Sequence, residues 1–198
     1  MTKRYNLPFQ ALTIKFNGVT DRIITELSIS EAFNPQDETE KHKPFFSSKA
    51  LWDTGATKSV ITSSIVKKIG LIPIGEVQVN HAGGTSASKT YLVNFLLPNK
   101  VGIMGVLVSE CEDTVGAFNA IIGMDIINIG DFSISNLDKK TCMSFRTPPY
   151  STQDFVKDSV RIQFSGVKPF ASCPCGKKNN IGKPLKFSEC HGKILNEN

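Results

Sequence analysis

The sequence has no apolar run approaching the roughly 18 residues that a membrane-spanning helix requires, which excludes a helical span. Pro8 and Gln10 interrupt the basic start "MTKRYNLPFQ" where a signal peptide needs a continuous apolar stretch, so a cytoplasmic protein with no membrane partner is expected. There is no low-complexity tract and no internal repeat of useful strength. Composition is globular, 40% apolar and 21% charged, and 198 residues supply one domain with a sizeable core plus an appendage, too few for two ordinary domains. The net charge of +5 is small and uneven: residues 171–198 hold five lysines against two glutamates. Five lysines in a short tail read as solvated charge, and nucleic acid is not an expected partner. Five cysteines cannot all pair, and Cys173, Cys175 and Cys190 crowd into the last 26 residues, which favours a metal site over a disulfide framework.

What is present first is β-structure. "ALTIKFNGV" alternates at Leu12, Ile14 and Phe16 and ends in Asn17-Gly18, and "RIITELSI" resumes after it, which predicts an opening hairpin. The polar, proline-bearing segment Phe33 to Pro44 reads as a surface loop. "FFSSKALW" predicts a strand, and "SSIVKKIG" a short helix with Ser63 as N-cap and Gly70 as its stop. "EVQVNHAGGTSASKTYLVNFLL" reads as a long hairpin with its tip at Gly83-Gly84. "KVGIMGVLVSE" and "FNAIIG" are further strands, "MDIINIG" a short helical segment, and "DFSISNLDKKTCMSFRTPP" a last hairpin turning around Asn136 to Lys140. Many short strands joined by turns indicate an all-β barrel or sandwich. Pro148 and Pro149 close this region, so the domain is placed at 1–149, followed by a linker over 150–170 with one strand at "SVRIQFSGV" and a distinct tail over 171–198.

Inside this pattern "LWDTGATKSVI" sets an aspartate directly after an apolar strand. An ionised carboxylate in such a setting costs several kcal/mol unless it is paired or neutralised. Asp-Thr-Gly has a mechanical reading in acid-base proteolysis: glycine permits a tight turn, the threonine hydroxyl locks it, and the aspartate faces a second carboxylate with which it shares a proton. The chain supplies one such turn. "EDTVG" at Glu112 to Gly116 inserts Val115 before its glycine and follows charged residues, which disqualifies it. A single motif requires the second aspartate to come from another copy of the chain across a two-fold axis.

These residues resemble the retropepsin-like aspartic proteases, in particular bacterial and phage-type members, with "LWDTGATKSVI" similar to the catalytic turn, "HAGGTSASKTYLV" to the flap arm and "AIIGMDIINIGDFSISN" with "TCMSFRTPP" to the C-terminal half. The resemblance implies an acid-protease barrel with one lobe per chain, a homodimer, and endopeptidase action on a polypeptide substrate. It implies that Asp53 is the catalytic carboxylate, that Thr54 cross-braces the two loops and Gly55 allows the turn, and that Ala82, Gly83 and Gly84 form the flap over an extended substrate. Ile121 to Gly123 match the strand that passes behind the catalytic loop. Met124 departs from the pattern, since many retroviral members carry arginine there to brace the loop. Ala56 stands where relatives with serine or threonine gain a hydroxyl that stabilises the ionised aspartate, which predicts an activity optimum at weakly acidic to neutral pH. The alternative is a silent dimeric module that uses the same groove to bind a peptide or protein.

The tail offers Cys173, Cys175, Cys190 and His191, three sulfurs and an imidazole, a complete tetrahedral set for structural Zn2+. A module this short seldom folds without metal or disulfide help. "CPCG", Phe187 and "CHG" also resemble the SEC-C zinc motif, although 14 residues separate Cys175 from Cys190 where that motif has a shorter gap; a loop inserted around Asn179-Asn180 accounts for the difference. The resemblance implies a tail that recruits a protein partner. The other reading is a set of free cysteines in a disordered tail. No cofactor is expected for catalysis. Cys111, Cys142, His42 and His81 have no partner at useful spacing and read as background.

Overall fold

The computed structural model describes residues 10–37, 42–81, 84–113 and 117–196. The chain divides into two compact units, 1–150 and 151–198. In the first unit the elements run β1 (Gln10–Lys15), β2 (Ile24–Glu31), β3 (Phe46–Trp52), β4 (Val60–Thr62), α1 (Ser63–Ile69), β5 (Gly75–His81), β6 (Gly84–Leu96), β7 (Gly102–Cys111), β8 (Ala120–Ile122), α2 (Met124–Ile127), β9 (Asp131–Ser135) and β10 (Cys142–Thr147). The unit is mostly β, in a seven-stranded sheet ordered β2-β3-β8-β4-β7-β6-β5 and a three-stranded sheet ordered β1-β10-β9.

The long strand β6 shapes the larger sheet. Its first half pairs with β5 and its second half with β2, while β7 runs along its other side. Because β2 also pairs with β3, the hydrogen bonds run in a closed circuit through six strands, and β5 projects with the first half of β6 as a hairpin. A register shift between Val93 and Phe95 marks a bulge at Asn94. The buried Asn94 amide stabilises it, accepting from Gly105 N–H at 2.9 Å and donating to the Phe33 carbonyl at 2.8 Å.

Alternation fills the interior with Leu27, Ile29, Ile61, Val93, Phe95, Val108 and Ile122, each at most 2% exposed. Trp52 unites the two sheets: its ring stacks on Phe132 at 5.5 Å, packs on Phe145 at 5.1 Å, and its Nε1–H donates to Thr25 Oγ1 at 3.0 Å. Trp52 is therefore core.

The predicted opening hairpin does not form: β1 pairs with β10, and β2 belongs to the other sheet. Thr141 captures the intervening turn, accepting from Phe16 N–H at 2.8 Å and donating its own N–H to the Gly18 carbonyl at 3.0 Å. Gly18 lies outside the left-handed region that a two-residue hairpin turn requires. Gly70 does end α1 in that region, at φ 75°. The helix starts one residue earlier than predicted, with Thr62 rather than Ser63 as N-cap.

In the second unit the predicted linker and its strand are replaced by helix α3 (Phe155–Gln163). Asp154 caps it, accepting from Val156 N–H at 3.1 Å and Lys157 N–H at 3.0 Å. Val160 and Phe164, four residues apart on one face, pack with Cys173 and Phe187. Helical spacing thus overrides the alternation that suggested a strand.

Candidate functional site

The Asp53 loop is a crossing between two strands. Strand β8 lies between β3, parallel to it, and β4, antiparallel to it, so residues 53–59 pass over the end of β8. Asp53 N–H donates to the Ile122 carbonyl at 3.0 Å, which fixes the start of the loop. The turn closes on itself, with Gly55 N–H donating to Asp53 Oδ1 at 2.8 Å and Ala56 N–H to the Asp53 carbonyl at 3.2 Å. Gly55 is not in the left-handed region; a Cβ there would stand 3.2 Å from Asp53 Oδ1, so glycine leaves room for the carboxylate to swing onto the N–H. Asp53 is half-buried, and Thr54 and Gly55 are exposed.

From behind, Met124 N–H donates to the Ala56 carbonyl at 2.8 Å. A Cβ on Gly123 would lie 2.7 Å from the Lys58 carbonyl group and 2.8 Å from Ala56 O, so only glycine lets the two backbones approach this closely. Asp125 supplies a further tie: Ser59 N–H and Ser59 Oγ donate to its two oxygens. The bracing expected at position 124 thus comes from Ser59 and Asp125, for which the sequence signal is a carboxylate two residues past a glycine that ends an apolar strand.

The excluded "EDTVG" segment has a structural role at its start. Asp113 Oδ1 accepts from Ser64 N–H at 3.0 Å, filling the N-terminal cap that Thr62 leaves open. Bonds from the Ser64 hydroxyl and N–H hold its carboxyl below the usual carboxylate range. The hairpin β5–β6 is in register from Gly75↔Thr90 to His81↔Gly84. Gly84 adopts φ 121°, a conformation that favours glycine. Ala82 and Gly83 lie outside the described residues, as do Thr114 to Gly116.

Residues 43–126 match the model of the aspartyl protease family. The aspartyl protease match runs from the approach to β3 through the Asp53 loop and the hairpin to α2. No curated protein matches the chain. Similar solved structures include a retropepsin-like aspartic protease from Rickettsia conorii, 10% identical over 72% of this chain and 98% of that one, with TM-score 0.44. EIAV protease complexed with the inhibitor HBY-793 is 19% identical over 63% and 90%, with TM-score 0.38. Simian Foamy Virus (mac) protease is 15% identical over 54% and 92%, with TM-score 0.34.

The aspartyl protease match stops short of the second unit, where Cys173, Cys175, Cys190 and His191 converge with all their donor atoms within 4.8 Å of one another. Cys173 Sγ is 3.3 Å and Cys190 Sγ 3.6 Å from His191 Nδ1, and Cys175 Sγ is 3.6 Å from Cys190 Sγ. Tetrahedral Zn–S bonds of about 2.3 Å place sulfurs about 3.8 Å apart, so the set is of the right size to hold a metal ion. The 14-residue gap is taken up by a folded excursion in which Asn179 N–H donates to the Lys183 carbonyl at 2.8 Å and Leu185 N–H to the Lys177 carbonyl at 2.9 Å. His191 packs on the Phe164 ring at 4.6 Å, which fixes the imidazole plane. As thiols the sulfurs compete: burial opposes ionising Cys173, yet bonds from the Cys175 backbone and His191 outweigh it and draw that thiol down to about 6. Desolvation and the neighbouring sulfurs push Cys190 up to about 11.

Proposed function

We propose that the protein is a retropepsin-like aspartic endopeptidase that works as a homodimer and carries a zinc-holding tail. The observation that carries this reading is the Asp53 turn. Its carboxylate is locked by its own Gly55 N–H, braced from behind through Gly123, and left half-exposed beside an exposed Thr54. A carboxylate so positioned in one chain awaits its counterpart. With two copies on a two-fold axis, the Asp53 pair would stand about 3 Å apart and share one proton. The ionised member takes a proton from water as it attacks the scissile carbonyl; the protonated member donates to the carbonyl oxygen. Thr54 serves the contact between loops, and the hairpin that reaches His81 and Gly84 closes over an extended polypeptide.

Cys173, Cys175, Cys190 and His191 fit Zn2+ in number, softness and spacing. Zinc there would cross-link the segment at Cys173 and Cys175 to that at Cys190 and His191, a structural role, and the folded tail is a recruitment site for a protein partner. The decisive experiment sets the purified protein against Asp53→Asn on a library of peptides over a range of pH. Cleavage present only with Asp53 supports the protease, and no Asp53-dependent cleavage at any pH leaves a peptide-binding module.

A further inference from the structure

Behind the Asp53 loop stands a carboxylate that the proposed chemistry does not use. Asp125 sends both oxygens to one residue: Oδ2 accepts from Ser59 N–H at 3.0 Å and Oδ1 from the Ser59 hydroxyl at 2.8 Å. Ser59 is fully buried, and its Oγ accepts in turn from Gly123 N–H at 3.1 Å. Asp125 Oδ1 also takes the N–H of Ile126 at 3.1 Å. The Ser59 and Ile126 N–H groups can only donate, one to each carboxylate oxygen, while the Ser59 hydroxyl can both donate and accept. An ionised carboxylate accepts at both oxygens, whereas an amide must turn one N–H2 toward a donor. The pattern selects for aspartate and against asparagine at this position, which shape alone would not do.

We infer that Asp125 is a positioning residue for Asp53. It fixes the far end of the loop through Ser59, while Ile122 fixes the near end and Met124 the middle. The catalytic consequence rests on the protease reading above. Two carboxylates share a proton only while they are held close, and their coupling falls as their separation grows. A loop released at Ser59 lets Asp53 move away from its counterpart, so the two groups titrate more independently and attack geometry degrades.

The test uses full-length wild type, Asp125→Asn and Ser59→Ala, with the last keeping the question open to measurement if the first folds poorly. Expected for both variants is a kcat lower by about tenfold to a hundredfold with KM within about twofold, as for a misplaced reacting group. The two limbs of the pH–rate profile move toward each other. Amide hydrogen exchange quickens at least about tenfold at Gly55 and Ala56 while the β6 and β7 amides keep their wild-type rates. Unchanged exchange at Gly55 and Ala56 overturns the inference. So does a kcat loss with unmoved pH limbs and faster exchange throughout, since that is loss of fold rather than of position. Should wild type show no Asp53-dependent cleavage, the protease reading fails by itself, and the exchange rates still decide whether Asp125 holds the loop.

Discussion

Ala56 gives the Asp53 loop a backbone and nothing more: its N–H reaches the Asp53 carbonyl, its carbonyl receives Met124, and its methyl group donates no hydrogen bond. In the proposed dimer a hydroxyl at this position would donate to and stabilise the ionised carboxylate. The Ala56→Ser variant is therefore expected to move both limbs of the pH–rate profile to lower pH, with wild type working best at weakly acidic to neutral pH. A wild-type profile that peaks only in strong acid, or a serine variant that moves upward, contradicts this. Gly123 governs the same loop by absence. Gly123→Ala puts a Cβ 2.7 Å from the Lys58 backbone, so the loop must move out; activity should fall by about a hundredfold or more, measured beside an Asp53→Asn control. At this scale the sequence was legible wherever chemistry is local. Asp53, Thr54 and Gly55 are neighbours, whereas Ser59 and Asp125 are 66 positions apart and meet only because β8 inserts between β3 and β4.

The base of the β5–β6 hairpin is tied down by Glu110 at the end of β7. Ser63 Oγ and Tyr91 OH each donate to its carboxylate at 2.6 Å, and Ser88 Oγ donates to its carbonyl at 2.6 Å, so α1, β6 and β7 meet at one residue. The Ser63 hydroxyl first, then Tyr91, with smaller help from Lys89 and Lys67, holds the Glu110 carboxyl below its ordinary value. Because the folded pKa is depressed, this stabilisation is complete above the unfolded glutamate value and is lost as pH falls through the folded one. Tyr91 acts at the other end of the scale: burial and the Glu110 bond push its phenol up to about 12. Its contribution is complete below the ordinary tyrosine value and is lost as pH rises toward 12, because the unfolded chain ionises first. Denaturation midpoints should thus decline at both extremes. Glu110→Gln should flatten both limbs and cost about 1–3 kcal/mol near neutrality; limbs that stay as steep as in wild type argue against the network. Elements were legible where one periodicity dominated, as in α1 with its Gly70 stop and in the paired strands β5 and β6. They were misread where a distant partner decided, as with β1, which leaves its neighbour for β10, and where apolar residues in α3 fit two periods at once.

On the proposed reading, the first unit works with a second copy of itself and the second unit folds around a metal ion. Mixing wild type with excess Asp53→Asn should poison activity, because a mixed dimer holds one carboxylate; at equal amounts about a quarter of the dimers keep both. Among the described residues of the second unit the buried core cluster is Val160, Phe164, Cys173 and Phe187, and Cys173 belongs to the set that could hold a metal ion. So small a core offsets little of the entropy of ordering the chain around it, and zinc bound at the proposed site would supply binding energy that becomes folding energy. Chelation at neutral pH should therefore open residues 151–198 to proteolysis and abolish the packing of His191 on Phe164, and Cys190→Ser should do the same without a chelator. Residues 10–150 should stay resistant, and Asp53-dependent cleavage of a short peptide should hold within about twofold. The ties that shape the Asp53 loop, at Ile122, Gly123, Met124 and Asp125, all lie in the first unit, so they do not depend on the ion. Equal zinc content in wild type and Cys190→Ser, or a tail that resists proteolysis after chelation, would remove the metal from the fold.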